Sequence, residues 1–479
     1  MEATELVLAL DQGGQSGRAL AFDPDGVLVA QARREVGESR PRPGHVEQDP
    51  EELVASLLDS AREVARALGP RVDDLVGCGL ATQRSSIVCW DERTGAALSP
   101  VLSWQDLRAG LPDGLDAEST HRRTGLFPSP HYGAGKIRWC LDHLPEVARA
   151  RAEGRLVCGP LASFLAARLT GAARGVADPA NAGRTLLWSL AGMDWDDGML
   201  ALFDVPRGVL PPCAPTVGQH GRVVLERRAL PLRAVNGDQS AALYARGAPR
   251  DDCAYVNVGT GAFVQRRIDG RARIGEFPRN PVSVVCSQEE SSVTVVEGTV
   301  NGAASALRWA QERLALPDLQ RELPSWLARE QDPPLFLNGV SGLGSPFWVP
   351  DFESVFVGQG TPAARAVAVL ESIVFLLQTN LERLRAPRDL PRLERIVLTG
   401  GLARLDGFCC RLAAVTGLAV HRPEEVEATA RGIAFLAGGA PQGFARAGDE
   451  RVFRPDEAPA GVGERYRRWR AALARSLGS

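Results

Sequence analysis

The chain has 479 residues, 44% hydrophobic and 24% charged, an ordinary globular composition long enough for two or three domains. Its 55 basic and 58 acidic residues leave a formal net charge of −3. That balance excludes the basic footprint of a nucleic-acid binder or of a protein held on anionic membranes. The nine cysteines are odd in number, scattered and without a CxxC pair, which argues against a disulfide framework or a structural zinc site and for reduced thiols. The opening MEATELVLALDQ has no basic segment or cleavage site. No apolar run reads as approaching the roughly 20 residues of a membrane span, and the reduced thiols lead to the expectation of a cytoplasmic protein. Lys136 is the only lysine among many arginines, which reads as compositional bias.

Leu6–Leu28, LVLALDQGGQSGRALAFDPDGVL, is an apolar run, a Gly-rich turn, a second run and an Asp-Gly turn. Cys253–Ile274, CAYVNVGTGAFVQRRIDGRARI, repeats the pattern, so the chain reads as two related halves. After the first hairpin, Asp49-Pro50-Glu51-Glu52 starts a helix: Asp caps it, Pro suits its first turn and the acids suit its dipole. Leu53, Leu57, Ala61, Val64 and Leu68 form its apolar stripe, and Gly69-Pro70 ends it. Val76–Thr82 and Ile87–Trp90 read as a β-pair around Gln83-Arg84. In the second half a helix from about Ala364 to Arg385 is apolar on more than one side and is expected between layers. Arg395–Thr399 reads as a strand entering Gly400-Gly401, with a helix following. The alternation predicts an α/β protein with domains over 1–249 and 250–440 and a polar tail over 441–479 that packs a last helix on the surface.

Several segments could carry chemistry. In Asp11-Gln12-Gly13-Gly14-Gln15-Ser16-Gly17-Arg18, a strand-end carboxylate could hold a magnesium–phosphate unit, and the glycines open backbone N–H groups to phosphate oxygens. Arg18 would add charge-assisted donors. Gly259-Thr260-Gly261 and Gly400-Gly401 could approach a nucleotide in the same way. No GxxxxGK[ST] or GxGxxG accompanies Gly400-Gly401. Asn236-Gly237-Asp238-Gln239 leads into a small-residue helix, where Asp238 could be a general base or a cap. Arg84 offers a guanidinium for two hydroxyls and Trp104 an indole face for a carbon backbone. Each of these alone has a plain reading as a turn, a cap or core packing.

Taken in order, the segments resemble the FGGY family of carbohydrate kinases, its glycerol kinases most closely, from about Leu8 to Ala437. DQG…SGR resembles the first phosphate loop, ATQRSSIVCWD and LSWQDLR the acceptor segments, and GLFPSPHYGAGKIRW the first signature. ADPANAGRTLLW resembles the segment after that, and NGDQSAALY the catalytic loop. VGTGAF, SGLGSPFW and TGGLARLDGF resemble the second phosphate loop, the second signature region and the adenosine loop. The resemblance implies a two-domain actin-like (ribonuclease H-like) ATPase fold with the active site between the domains. It implies phosphoryl transfer from ATP, with Mg2+, to a hydroxyl of a small sugar or polyol. Asp238 would be the base, and Asp11 and Asp238 would hold the metal. Gly13, Gly14, Gln15, Ser16, Arg18, Gly259, Thr260, Gly261, Gly400 and Gly401 would face the nucleotide. Arg84, Ser85, Trp104, His131, Asp238, Gln239 and Phe263 would face the acceptor. No nucleic-acid or membrane partner is implied, and a homodimer is left open.

This sequence also departs from the pattern. Ser85 stands where glycerol kinases carry a Glu, and His131 where they carry a pocket Tyr. Gly14 and Gln15 replace two phosphate-loop threonines, and Ala304 replaces a small residue, usually Gly, near the adenine. A pocket built to bond hydroxyls discriminates strongly, so Ser85 and His131 point to an acceptor other than glycerol, with glycerol as the alternative. A non-catalytic sensor on the same fold is the reading that Gly14-Gln15 favours, and the retained Asp11, Asp238 and Thr260 weigh against it. A hydrolase using Asp11 and Asp238 as paired carboxylates would leave the glycine loops without a purpose.

Overall fold

The computed structural model describes residues 5–478 apart from 269, 290, 331, 388, 425, 426, 447, 448 and 458. Its first half is organised by a six-stranded sheet in the order Arg222–Leu225, Arg228–Gly237, Leu75–Thr82, Leu6–Gln12, Ser16–Phe22, Leu28–Glu35. Leu6–Gln12 pairs antiparallel with Ser16–Phe22 and parallel with Leu75–Thr82. The second half repeats this arrangement. Cys253–Val258 pairs antiparallel with Ala262–Ile268 and parallel with Arg395–Thr399 in a seven-stranded sheet. The two halves thus share one pattern of antiparallel strands followed by parallel ones, as their opening hairpins suggested. Residue 269, of the expected Asp-Gly turn after the second hairpin, lies outside the described residues.

The helix Pro50–Leu68 forms as its sequence dictates. The Asp49 carboxylate accepts from the N–H groups of Glu51 at 2.8 Å and Glu52 at 3.4 Å, and the predicted stripe is buried. The expected pairing of residues 76–82 with 87–90 does not occur. Leu75–Thr82 stays in the first sheet, while Ile87–Asp91 joins a separate four-stranded sheet beside Leu156–Pro160. Ser85, at φ 63°, turns the chain out of one sheet and into the other. Ile87–Asp91 is buried throughout and Leu75–Thr82 at all but one position, so neither shows the alternation that would mark its partner.

The helix Pro362–Leu384 is long and apolar enough to cross a membrane, contrary to the expectation that no segment is, but 89% of its apolar window is buried inside the protein. Its buried Glu371 pairs with Arg411 at 3.0 Å and Arg465 at 2.6 Å. Through Arg465, Glu371 ties down the last helix, Val462–Ser476. That helix packs on the surface as expected, with one face turned to the core: Trp469 is fully buried and donates to the Phe336 carbonyl at 2.8 Å, while Arg467, Arg468 and Arg470 face outward. The helix Ala428–Ala437 comes from the second half but packs against the first sheet and against Asp238–Ala242. Asp238 therefore sits where the halves meet.

Candidate active site

The strand Arg228–Gly237 ends at Gly237, and Asp238 opens the short helix Asp238–Ala242. The Asp238 carboxylate accepts from the Gln239 N–H at 2.7 Å, and Thr429 of the second half donates to its backbone carbonyl at 3.3 Å. Arg84 leaves the end of the neighbouring strand and crosses over this turn. Its Nε lies 4.0 Å from Asp238 Oδ1, and its other nitrogens reach the Gln239 side chain and, at 3.5 Å, the Ser240 hydroxyl. The crossing requires Gly237. A Cβ there would lie 2.5 Å from Arg84 Cδ and 2.6 Å from Cγ.

Asp11 ends the adjacent strand, Leu6–Gln12, and is 1% exposed. Burial pushes its carboxyl up to about 6; Arg18 opposes this and the negative charge of Asp238 adds to it. Asp238 is raised in the same direction, chiefly by burial, with Arg84 opposing. Arg18 bonds both Asp11 and Glu427 of the second half, so one guanidinium serves carboxylates from both sides of the cleft. Two acidic groups under-compensated at a cleft floor suit a hard divalent cation. Among the described residues no group of three or more His, Cys, Asp or Glu side chains could hold a metal. Magnesium needs only one or two carboxylates and fills its shell with water and phosphate oxygens.

The first glycine loop is braced from outside. Gly13 N–H donates to the Ser16 carbonyl at 3.1 Å, Gln48 Nε2 to the Gly14 carbonyl at 2.9 Å, and Val36 N–H to the Gln15 carbonyl at 3.1 Å. In the second loop the Gly259 and Thr260 carbonyls accept from the N–H groups of Ala304 at 3.0 Å and Ala303 at 3.0 Å, leaving Thr260 exposed. In the third, Gly400 has φ 95°, and a Cβ would meet the Val258 carbonyl at 2.5 Å, whereas one on Gly401 would meet nothing within 4 Å. Gly400 thus lets the loop pack close against the strand Cys253–Val258, and the space beside Gly401 leaves its backbone uncovered.

The acceptor candidates cluster around Arg84. Trp104 is 43% exposed, a wasteful position for an indole that packs in a core. His131 Nδ1 lies 3.2 Å from the Trp104 carbonyl, which makes Nδ1 the protonated nitrogen and leaves Nε2 an acceptor. Burial holds its pKa below the usual histidine value, keeping the ring neutral near pH 7. Phe263 is half-buried opposite Thr299 in register, and two positions along the ladder Gln265 faces Glu297, so Phe263 and Glu297 share a sheet face. Glu297 reaches across to Arg184 at 2.5 and 2.6 Å, and its charge acts on Arg84.

Arg184, Glu297 and Glu427 were not singled out from sequence. ADPANAGRTLLW gave the only signal for Arg184, and none marked the two glutamates.

Models of the FGGY family match both halves: the N-terminal domain over residues 6–235 and the C-terminal domain over 254–440. The chain belongs to the FGGY family of carbohydrate kinases. A relative from Bordetella parapertussis named glycerol kinase is 34% identical, covering 100% of this chain and 98% of its own. Another, from Methylobacterium nodulans and also named glycerol kinase, is 35% identical over 91% of this chain and 89% of its own. Among solved structures, Plasmodium falciparum glycerol kinase with ADP superposes with a TM-score of 0.87 at 22% identity, covering 99% of this chain and 98% of that one. Xylulose kinase from Rhodospirillum rubrum does so at 0.84 and 23%, covering 99% of each. These likenesses show the actin-like two-domain fold. This carbohydrate kinase is an ATP- and magnesium-dependent phosphotransferase with an alcohol group as acceptor.

Proposed function

We propose that Asp238 is the general base of this kinase and that Arg84, Ser85, Trp104, His131, Asp238, Gln239 and Phe263 hold its acceptor, a small sugar or polyol. The observation that carries the reading is the convergence of Arg84, Gln239 and Asp238 beside Asp11 at the seam between the halves. A carboxylate raised by burial is a better proton acceptor than a solvated one, and Arg84 keeps it oriented. The acceptor hydroxyl gives its proton to Asp238 as its oxygen attacks the terminal phosphorus of ATP. The bond to the ADP oxygen breaks, and phosphorylated acceptor and ADP leave. Gly13, Gly14, Gln15, Ser16, Arg18, Gly259, Thr260, Gly261, Gly400 and Gly401 position the nucleotide. Magnesium, which Asp11 and Asp238 would hold, supplies charge neutralisation at the phosphates.

Ser85 removes a carboxylate from the acceptor side, and the free His131 Nε2 supplies a neutral hydrogen-bond acceptor instead. Both favour a sugar or a polyol longer than glycerol. Glycerol itself is the second reading, favoured by the 34% identical relatives of that name. We divide the chain into 1–249, 250–440 and a tail over 441–479. We place it in the cytoplasm without nucleic-acid or membrane partners, and homodimer formation is open to test by light scattering.

Asp238→Asn tests the assignment. Turnover should fall by about 10²–10⁴-fold, the usual worth of a general base, with acceptor affinity within about threefold of the parent. Near-normal turnover removes Asp238 from the mechanism.

A further inference from the structure

The chain's single lysine, Lys136, is fully buried, and among the described residues no carboxylate is bonded to it. Its Nζ donates instead to three backbone carbonyls: Ser85 at 3.1 Å, Ser103 at 2.7 Å and His131 at 2.8 Å. These belong to three separate stretches of chain, and each borders the acceptor candidates. Ser85 follows Arg84, Ser103 precedes Trp104, and His131 is itself one of them. Ser85 is held in the left-handed region at φ 63°, a conformation that non-glycine residues keep only when their surroundings enforce it. The same stretches touch at two further points: Trp104 N–H donates to the Ser86 hydroxyl at 3.0 Å, and the His131 ring meets the Trp104 carbonyl.

The choice of lysine is itself informative. Elsewhere the basic residues of this chain are arginines, yet this position has none. An ammonium is a compact point charge with three donors that can converge on three carbonyls around one atom, whereas a planar guanidinium spreads five donors over a wider fork. Compositional bias, the plain reading of the lone lysine, accounts for the arginines but not for this exception.

We propose that Lys136 is a positioning residue of the kinase, its ammonium fastening the Ser85, Ser103–Trp104 and His131 stretches into one acceptor pocket. This inference rests on the acceptor assignment above. Burial draws the ammonium down to about 7, opposed by the nearby Asp106 carboxylate, with the Arg108 charge adding to the decrease. The three carbonyls favour the charged form further.

The test uses full-length Lys136→Met, which keeps the stem and loses the donors, Lys136→Arg, which keeps the charge, and Arg84→Ala as reference. Each is assayed against ATP and against glycerol and xylulose as probe acceptors. Both Lys136 variants should raise the acceptor KM tenfold or more, with ATP KM and saturated kcat changed less than threefold. A proportionate change in all constants, as from general loosening, or no change at all, overturns the proposal. If Arg84→Ala raises acceptor KM while Lys136→Met does not, Lys136 falls and the pocket stands. If Arg84→Ala leaves acceptor KM unchanged, the pocket assignment falls and takes this inference with it. Should neither Lys136 variant fold, the native protein labelled with [15N]lysine gives a single side-chain resonance. That resonance should shift on saturation with acceptor and stay in place with Mg-ADP; the reverse, or no response to acceptor, overturns the proposal.

Discussion

Asp11 pays for its position in stability, and the cost can be measured. In the unfolded chain its carboxyl releases its proton near 3.8, in the folded protein near 6. Between those values the folded state binds more protons, so stability falls as pH rises and the loss is complete above about pH 6. At about 1.4 kcal/mol per pH unit, the ionised carboxylate costs the apo protein at most about 3 kcal/mol. Asp11→Asn mimics the neutral form. At pH 8 it should raise the melting temperature of the apo protein, by up to roughly 6–12 °C for a domain of 150–250 residues. The gain should shrink below pH 6 and vanish near pH 4. The variant should also lose activity and most of the stabilisation that Mg-ATP gives the parent. Calorimetry at pH 4, 6 and 8, with and without Mg-ATP, reads all of this. An Asn variant less stable than the parent at pH 8, or a difference independent of pH, refutes the reasoning.

Three further outcomes follow from particular contacts. Ser85→Glu should shift the ratio of kcat/KM toward glycerol by tenfold or more, and an unchanged ratio would remove Ser85 from specificity. Gly237→Ala pushes a Cβ to 2.5 Å from Arg84 Cδ, so acceptor KM should rise at least fivefold with ATP KM unchanged in steady-state assays. Glu371→Leu leaves Arg411 and Arg465 buried without their carboxylate, and chemical denaturation should show a loss of about 3–5 kcal/mol.

What was legible in the sequence was local. The turn at Gly13–Ser16 and the Asp49 cap are each set by neighbours a few residues apart and formed as read, and Asp238 opens its helix as expected, although Asn236-Gly237, read as a loop, is the end of a strand. Contacts made across the fold left little trace. Arg18 meets Glu427 from 409 positions away, and Arg184 meets Glu297 from 113 away. A lone glutamate in a strand or before a helix looks like any surface acid until the halves are closed. The pairing of residues 76–82 with 87–90 was misread because almost fully buried strands have no polar side to orient them. Lys136 was visible as an oddity of composition, but its three carbonyl partners carry no side-chain signature at all.

The central claim is phosphoryl transfer to an alcohol in the cleft at Asp238. Its most direct test is ADP release by the purified protein with Mg-ATP across a panel of polyols, ketoses and aldoses that includes glycerol, repeated with Asp238→Asn. The account predicts one clearly preferred acceptor, stoichiometric phosphorylated product and a loss of both in the variant. Silence across the panel from a protein that binds Mg-ATP, or equal rates from parent and variant, would contradict it.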